Sequence, residues 1–145
     1  MIDCKSGEVF PVPRPVSLKN ESIDLIRKSF PGTEFSKVVH DTLKGSVALL
    51  KPPRLSIVNA DRTAQPVLVV FPEYRQGSNL SVTSLKRTDA FFKLADLSFN
   101  YGVLGGEGFD VLGRLMGQCN AYQFVYGGNF NEASKIFDDL LLSVG

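Results

Sequence analysis

The sequence lacks tryptophan and has few of the residues that usually form disulfides and metal sites. It contains two cysteines, Cys4 and Cys119, and a single histidine, His40. Two thiols so far apart do not make a disulfide framework, and one histidine with two distant cysteines cannot form a zinc site alone. We therefore expect free thiols, no metal site and a reducing, cytoplasmic compartment.

Neither an excess of charge nor a long hydrophobic run is present. The net charge is +1, which gives no electrostatic basis for binding nucleic acid or an anionic membrane surface. No apolar run approaches membrane-spanning length, and the polar first residues do not form a signal peptide. With 43% hydrophobic residues the composition is typical of a globular protein with a real core. We expect a single domain over residues 1–145 without membrane or nucleic-acid partners.

The phosphate loop Gly-x-x-x-x-Gly-Lys-Ser/Thr is also missing. In that loop backbone N–H groups hold the phosphates while the lysine reaches their outer oxygens. The glycine-rich stretch at residues 102–108 contains no lysine and does not follow a predicted strand. It therefore predicts a structural turn that separates two helices.

A proline-rich extended segment at residues 11–15 is followed by a polar turn at residues 17–20 and a helix. The prolines disfavour helix before this point, and Asn20 is a good N-cap. Arg14, Lys19 and Asn20 are thus expected at an extended-to-helix junction next to free backbone N–H groups. Such a junction can bind an anion such as phosphate, and a capped helix with ordinary surface cations is the alternative.

A second polar segment, at residues 40–45, predicts a loop in which Gly45 permits a tight turn. Asp41 and Lys44 are candidate site residues here, because Lys44 in a loop can close over a phosphate or a substrate serine. The alternative is an ordinary polar turn. We interpret His40 as a surface or packing residue.

Hydrophobic periodicity predicts the remaining elements. Residues 66–74 form the best buried central strand, and further strands are expected at residues 46–50, 55–58, 80–85 and 121–126. Helices are expected to follow near residues 91–99, 109–116 and 133–141. The fold class is therefore α/β or α+β, with a mixed β-sheet of about five strands and about four helices.

Three separated blocks carry a family resemblance: PRPVSLKNESIDLIR, then HDTLKGSVALLKPP, then LADLSFNYGVLGGEGFDVL. In this order they resemble the C-terminal half of the HPr kinase/phosphorylase-related kinases, in the branch called HPr-kinase-related kinase A. That family is distantly related to phosphoenolpyruvate carboxykinase. The resemblance extends over nearly the whole chain, from Ile2 to Leu142.

The resemblance implies ATP-dependent phosphorylation of a serine on a protein substrate, with magnesium and an acidic base, by a homo-oligomer. It places the phosphate loop and the acidic cluster upstream of these residues, so the chain would be the C-terminal part of a partial phosphoenolpyruvate-carboxykinase-like kinase domain. It also makes a set of residues candidates for binding substrate or phosphate: Arg14, Lys19, Asn20, Asp41 and Lys44.

Without the phosphate loop we expect no kinase activity and no cofactor bound by this chain alone, since ATP and Mg²⁺ belong to the complete family domain. No catalytic residue is identified. The alternative is a non-catalytic module that binds a protein partner or self-associates.

Overall fold

A computed structural model describes residues 1–143 of the chain. In this part six strands form two three-stranded sheets that are accompanied by six helices, which confirms the expected fold class, α/β or α+β. The strands were expected in one mixed sheet, but they divide between two compact units. The first unit comprises Met1 and Phe10–Thr63, and the second comprises Ile2–Val9 and the chain from Ala64 onward. A single domain over residues 1–145 stays a prediction.

The first unit is a small antiparallel sheet with two helices. Its elements are β1 (Val16–Lys19), α1 (Glu21–Ser29), β2 (Val39–Thr42), β3 (Gly45–Leu50) and α2 (Arg54–Val58). The strand order is β1-β3-β2, and both pairs are antiparallel. Strand β3 is therefore central and holds the unit together.

Three local predictions in this unit were wrong. Residues 17–19 are strand rather than turn, because Leu18 pairs with the buried Ala48 of β3. Residues 40–42 belong to β2 rather than to a loop. Residues 55–58 are helical rather than extended, since the carbonyl of Pro53 accepts the N–H groups of Ser56 and Ile57. In each case pairing or local hydrogen bonding overrides the hydrophobic pattern.

The second unit contains a mixed sheet and four helices within the described residues. Its elements are β4 (Leu68–Tyr74), β5 (Ser81–Ser84), α3 (Arg87–Leu97), α4 (Tyr101–Leu104), α5 (Gly106–Gln118), β6 (Asn120–Tyr126) and α6 (Phe130–Ser143). Strand β6 is central, parallel to β4 and antiparallel to β5. The expected central strand β4 is thus an edge strand. This position suits Pro72, because proline has no N–H group to donate to a strand on the open side.

The glycine-rich stretch is mostly helical rather than a turn. Only Gly105, at φ +54°, interrupts it between α4 and α5. Gly108 is buried, and a Cβ atom there would lie 3.1 Å from Leu104 Cβ and 3.3 Å from the Tyr101 ring. Gly105 therefore permits the break between α4 and α5, and Gly108 permits the close packing against Leu104 and Tyr101.

Helices cover both faces of the second sheet. On one face Phe71 and Ala121 pack with residues of α3 and α5; the buried cluster consists of Phe71, Ala90, Leu112, Leu115, Met116, Cys119 and Ala121. On the other face Phe124 makes an edge-on aromatic contact with Phe137 of α6. Asn129 caps α6, since its Oδ1 accepts the Glu132 N–H at 3.3 Å.

Cys119 is a small buried side chain of this core cluster. Its thiol lies 3.2 Å from the Pro66 carbonyl oxygen, and burial raises the pKa of Cys119 because the thiolate is poorly solvated there. Separately, no helix within residues 1–143 combines the length and apolar character that crossing a membrane requires.

Candidate functional site

The β2–β3 hairpin carries two of the candidate residues, Asp41 in strand β2 and Lys44 in the tight turn between the strands. Thr42 pairs with Gly45, which leaves Leu43 and Lys44 at the tip. The Thr42 hydroxyl donates to the Gly45 carbonyl at 2.6 Å and accepts the Lys44 N–H at 3.1 Å. The threonine side chain thereby holds the backbone of Lys44 in place while the ammonium group stays in solvent.

Asn20 joins this hairpin from the junction of β1 and α1. Its N–H donates to the Ser46 carbonyl at 2.9 Å, and the Ser46 N–H donates to Asn20 Oδ1 at 3.0 Å. Asn20 does occupy the N-cap position of α1, but its side chain does not cap the helix. The expected capping bond is thus wrong, because the backbone of Asn20, at φ +48° and ψ −128°, turns the side chain toward β3.

The contact between Asn20 and the start of β3 requires a glycine at position 45. Gly45 has φ +79°, and a Cβ atom at this position would lie 2.2 Å from Asn20 Oδ1. Any other residue would displace the asparagine side chain or shift the turn. The start of β3 is therefore shaped to accept Asn20.

Two non-glycine residues of the described chain have positive φ, and both lie in this site. They are Asn20, at φ +48°, and Asp41, at φ +55°, in the irregular part of the β2–β3 ladder. Asparagine and aspartate adopt positive φ more readily than other residues with side chains. Each residue in such a conformation still costs about 1–3 kcal/mol of conformational energy. Strained positions of this kind cluster at functional sites.

His40 completes the arrangement on the same hairpin. Its Nδ1 lies 2.9 Å from the Ser46 hydroxyl, so the ring is tied to the residue that also binds Asn20. The ring is exposed, which agrees with its interpretation as a surface residue. Ser46 thus uses its backbone for Asn20 and its side chain for His40.

The structure brings together four of the five predicted site residues. Asn20, Asp41 and Lys44 surround the hairpin, and Lys19 pairs with Val47 one position from the Asn20 contact. Arg14 does not join them, because it lies beyond the other end of β1, whose four extended residues alone span roughly 13 Å.

All four charged candidates are exposed: Arg14, Lys19, Asp41 and Lys44. Within residues 1–143 none of them forms an ion pair; the pairs present are Asp24–Arg27, Glu34–Lys51 and Glu73–Arg75. Their charges are therefore available to a ligand from solvent.

Thr42, Gly45 and Ser46 were not predicted as parts of the site. A Thr-x-x-Gly spacing across a tight turn could have pointed to the first two, because the hydroxyl can bond the backbone on both sides of the turn. Nothing in the local pattern indicates the Ser46 contact, since its partner lies 26 residues away.

No family model, curated protein or solved structure matches this chain. Within the described residues no group of three or more His, Cys, Asp or Glu side chains is placed to hold a metal ion. Without a phosphate loop the residues present do not fit a triphosphate. The exposed cations of this candidate site are Lys44, in the hairpin turn, and Lys19, on the strand that pairs with β3.

Proposed function

We propose that this chain is the C-terminal portion or a truncated homologue of an ATP-dependent protein serine kinase related to HPr kinase/phosphorylase, and that it is inactive alone. One observation supports this most. The Asn20–Ser46 hydrogen-bond pair joins the first and second blocks of the family resemblance into one hairpin site. Motifs that are distant in sequence but meet in space are what a shared active-site edge requires.

In this proposal Lys44 and Lys19 bind the phosphoryl oxygens on the substrate side of the cleft. Positive groups placed where charge develops are the main protein contribution to phosphoryl transfer. The Asp41 carboxylate accepts a hydrogen bond from the substrate serine, and Asn20 fixes the hairpin geometry. Arg14 is left out of this cluster because it lies beyond the other end of β1.

The phosphate-binding part of the proposal is tested on the chain by itself. Inorganic phosphate is titrated into the ¹⁵N-labelled chain, and the amide signals of Lys44, Gly45 and Ser46 are followed. Lys44→Met should weaken binding about tenfold, because it removes a charged hydrogen bond. Asp41→Asn should strengthen it, since a repelling charge is lost while asparagine keeps the positive φ.

Lys37→Met is the matched control, because Lys37 is exposed in the same unit and lies outside the site. It should leave phosphate binding unchanged. Equal weakening by Lys37→Met and Lys44→Met would reveal a general charge effect, and the site would be rejected. Absence of shifts at Lys44 and Gly45 would reject it equally.

A second candidate function is self-association through the second unit, with another copy of the chain as the partner. The observation that favours it is an apolar groove of about 350 Å³ between α3 and α5. Phe92 and Phe109 line this groove with 68% and 57% of their surface exposed. Apolar surface of this kind marks interaction sites, and the family resemblance implies homo-oligomers.

Sedimentation velocity over a range of concentrations tests this second function. Association should increase with concentration, and Phe92→Glu should abolish it. Leu142→Glu, a change of the same kind at another exposed apolar residue, should not. A monomer at every concentration would exclude this function without bearing on phosphate binding.

A further inference from the structure

A second groove of about 350 Å³ lies on one face of the sheet in the second unit. Its floor is most of β4, from Val69 to Glu73, and its wall is the last turns of α3. The volume lies in the lower part of the roughly 300–1,000 Å³ that is typical of small-molecule sites.

Polar side chains replace apolar ones on this face of the sheet. Val69 and Phe71 of β4 share the face with Glu73, because alternate residues of a strand point the same way. On β6 the buried Ala121 is followed two residues later by Gln123, which lies opposite Phe71 in the register. A partly buried glutamine thus follows the core residue of β6, and the exposed Glu73 follows the core residues of β4.

These polar groups are connected in one hydrogen-bonded chain. Lys93 of α3 donates to Gln123 Oε1, and its ammonium lies 5.0 Å from the centre of the Phe71 ring. Gln123 Nε2 donates to Glu73 Oε2 at 3.2 Å, and Arg75 donates to Glu73 Oε1 at 2.6 Å. The network fixes the Lys93 ammonium and the Gln123 amide at the groove.

The charge and the unused donors of this network favour an anion. Lys93 and Arg75 are positive and Glu73 is negative, so the network carries one net positive charge. An ammonium has three N–H groups and an amide has two, so Lys93 and Gln123 keep donors beyond those in the network. The remaining walls, formed by Val69, Leu94 and Leu97, are apolar.

We propose that this groove binds a small monocarboxylate with an apolar chain. The carboxylate accepts hydrogen bonds from Lys93 and Gln123, and the chain lies along Leu94 and Leu97. One negative charge matches the single net positive charge, and the ligand chain would remove apolar surface of Leu94 and Leu97 from water. This inference does not depend on the proposed kinase relationship, because every residue that it uses lies in the second unit.

Octanoate is the probe, with octanol and octylamine as ligands of the same chain length. Each is titrated into the ¹⁵N-labelled chain below its aggregation concentration, and the amides of Leu94, Leu97 and Gln123 are followed. Octanoate should give saturable shifts, and the alcohol and the amine should bind at least about tenfold more weakly. Lys93→Met should lower octanoate affinity to that of octanol, since the exposed methionine keeps the length of the side chain without its charge.

Lys135→Met is the control, because Lys135 is an exposed lysine on α6, outside the groove. It should bind octanoate as the unchanged chain does, and circular dichroism should show that both variants are folded. Equal binding of all three ligands would overturn the carboxylate preference. Undiminished octanoate binding by Lys93→Met, or no saturable shift, would overturn the site.

Discussion

Eleven hydrophobic residues are buried in the described part of the chain, and nine of them lie in the second unit. The first unit buries only Ile23 and Ala48. The stability of the first unit depends instead on an antiparallel strand ladder and on hydrogen bonds between side chains and the backbone, such as those of Asn20 and Thr42. The second unit relies on packing between its sheet and its helices.

This difference predicts at which positions a substitution should destabilise each unit. A typical hydrogen bond contributes about 0.5–1.5 kcal/mol net, whereas truncating a buried leucine costs about 2–5 kcal/mol. The second unit should therefore be sensitive to single changes in its core. The first should be sensitive mainly where the backbone is tightly constrained, which is also where the candidate site lies.

The largest effect is expected from Leu112→Ala in the second unit. Leu112 is 5% exposed within the core cluster, so the change leaves a cavity and should lower the free energy of unfolding by about 2–5 kcal/mol. Leu142→Ala, at a residue that is 80% exposed, should cost much less. Urea unfolding followed by circular dichroism measures both; equal losses would contradict a stability based on this core.

An intermediate effect is expected from Gly45→Ala in the first unit. Positive φ and the collision with Asn20 Oδ1 should together cost about 2 kcal/mol in the free energy of unfolding. Gly32→Ala is the matched control, since Gly32 has φ +95° but nothing within 4 Å of the added atom. Denaturant unfolding should show a smaller loss for Gly32→Ala. Equal losses would contradict the Asn20 contact.

The smallest effect is expected from Asp3, at an exposed turn of the second unit. Hydrogen bonds from the backbone N–H groups of Ser6 and then Lys5 lower the pKa of Asp3. This contribution is complete above the carboxyl's unfolded pKa and is lost as the pH falls through the lowered folded pKa. NMR titration should show the lowered pKa. An Asp3→Asn variant should lack this pH-dependent part of the stability, and an ordinary pKa would contradict the turn.

The hydrophobic pattern within a segment was sufficient to predict several of the helices and strands. The periodicity of α1 and α5 and the apolar runs of β3, β4 and β6 were sufficient to identify them. Strands β1 and β2 were missed because they are short and exposed, and their extended form depends on pairing with β3. The division into two sheets was missed for the same reason, since no local signal states which strand pairs with which.

The binding role of the candidate residues that the family resemblance indicated stays a prediction. The resemblance indicated Asn20, Asp41 and Lys44, and the structure places them around one hairpin. It also indicated Arg14, which β1 holds away from the others. The groove residues Lys93 and Gln123 come together only in the folded chain, 30 residues apart in sequence. In the sequence Gln123 was an indication, because it lies between Ala121 and Val125 in a row of apolar residues.

We propose that these residues form the substrate side of a kinase cleft and that the loop that binds the ATP phosphates lies outside them. Isothermal titration of Mg²⁺–ATP into the purified chain tests it most directly. The account predicts no binding in the micromolar range, because the chain has no phosphate loop. Micromolar binding of one nucleotide per chain would contradict it.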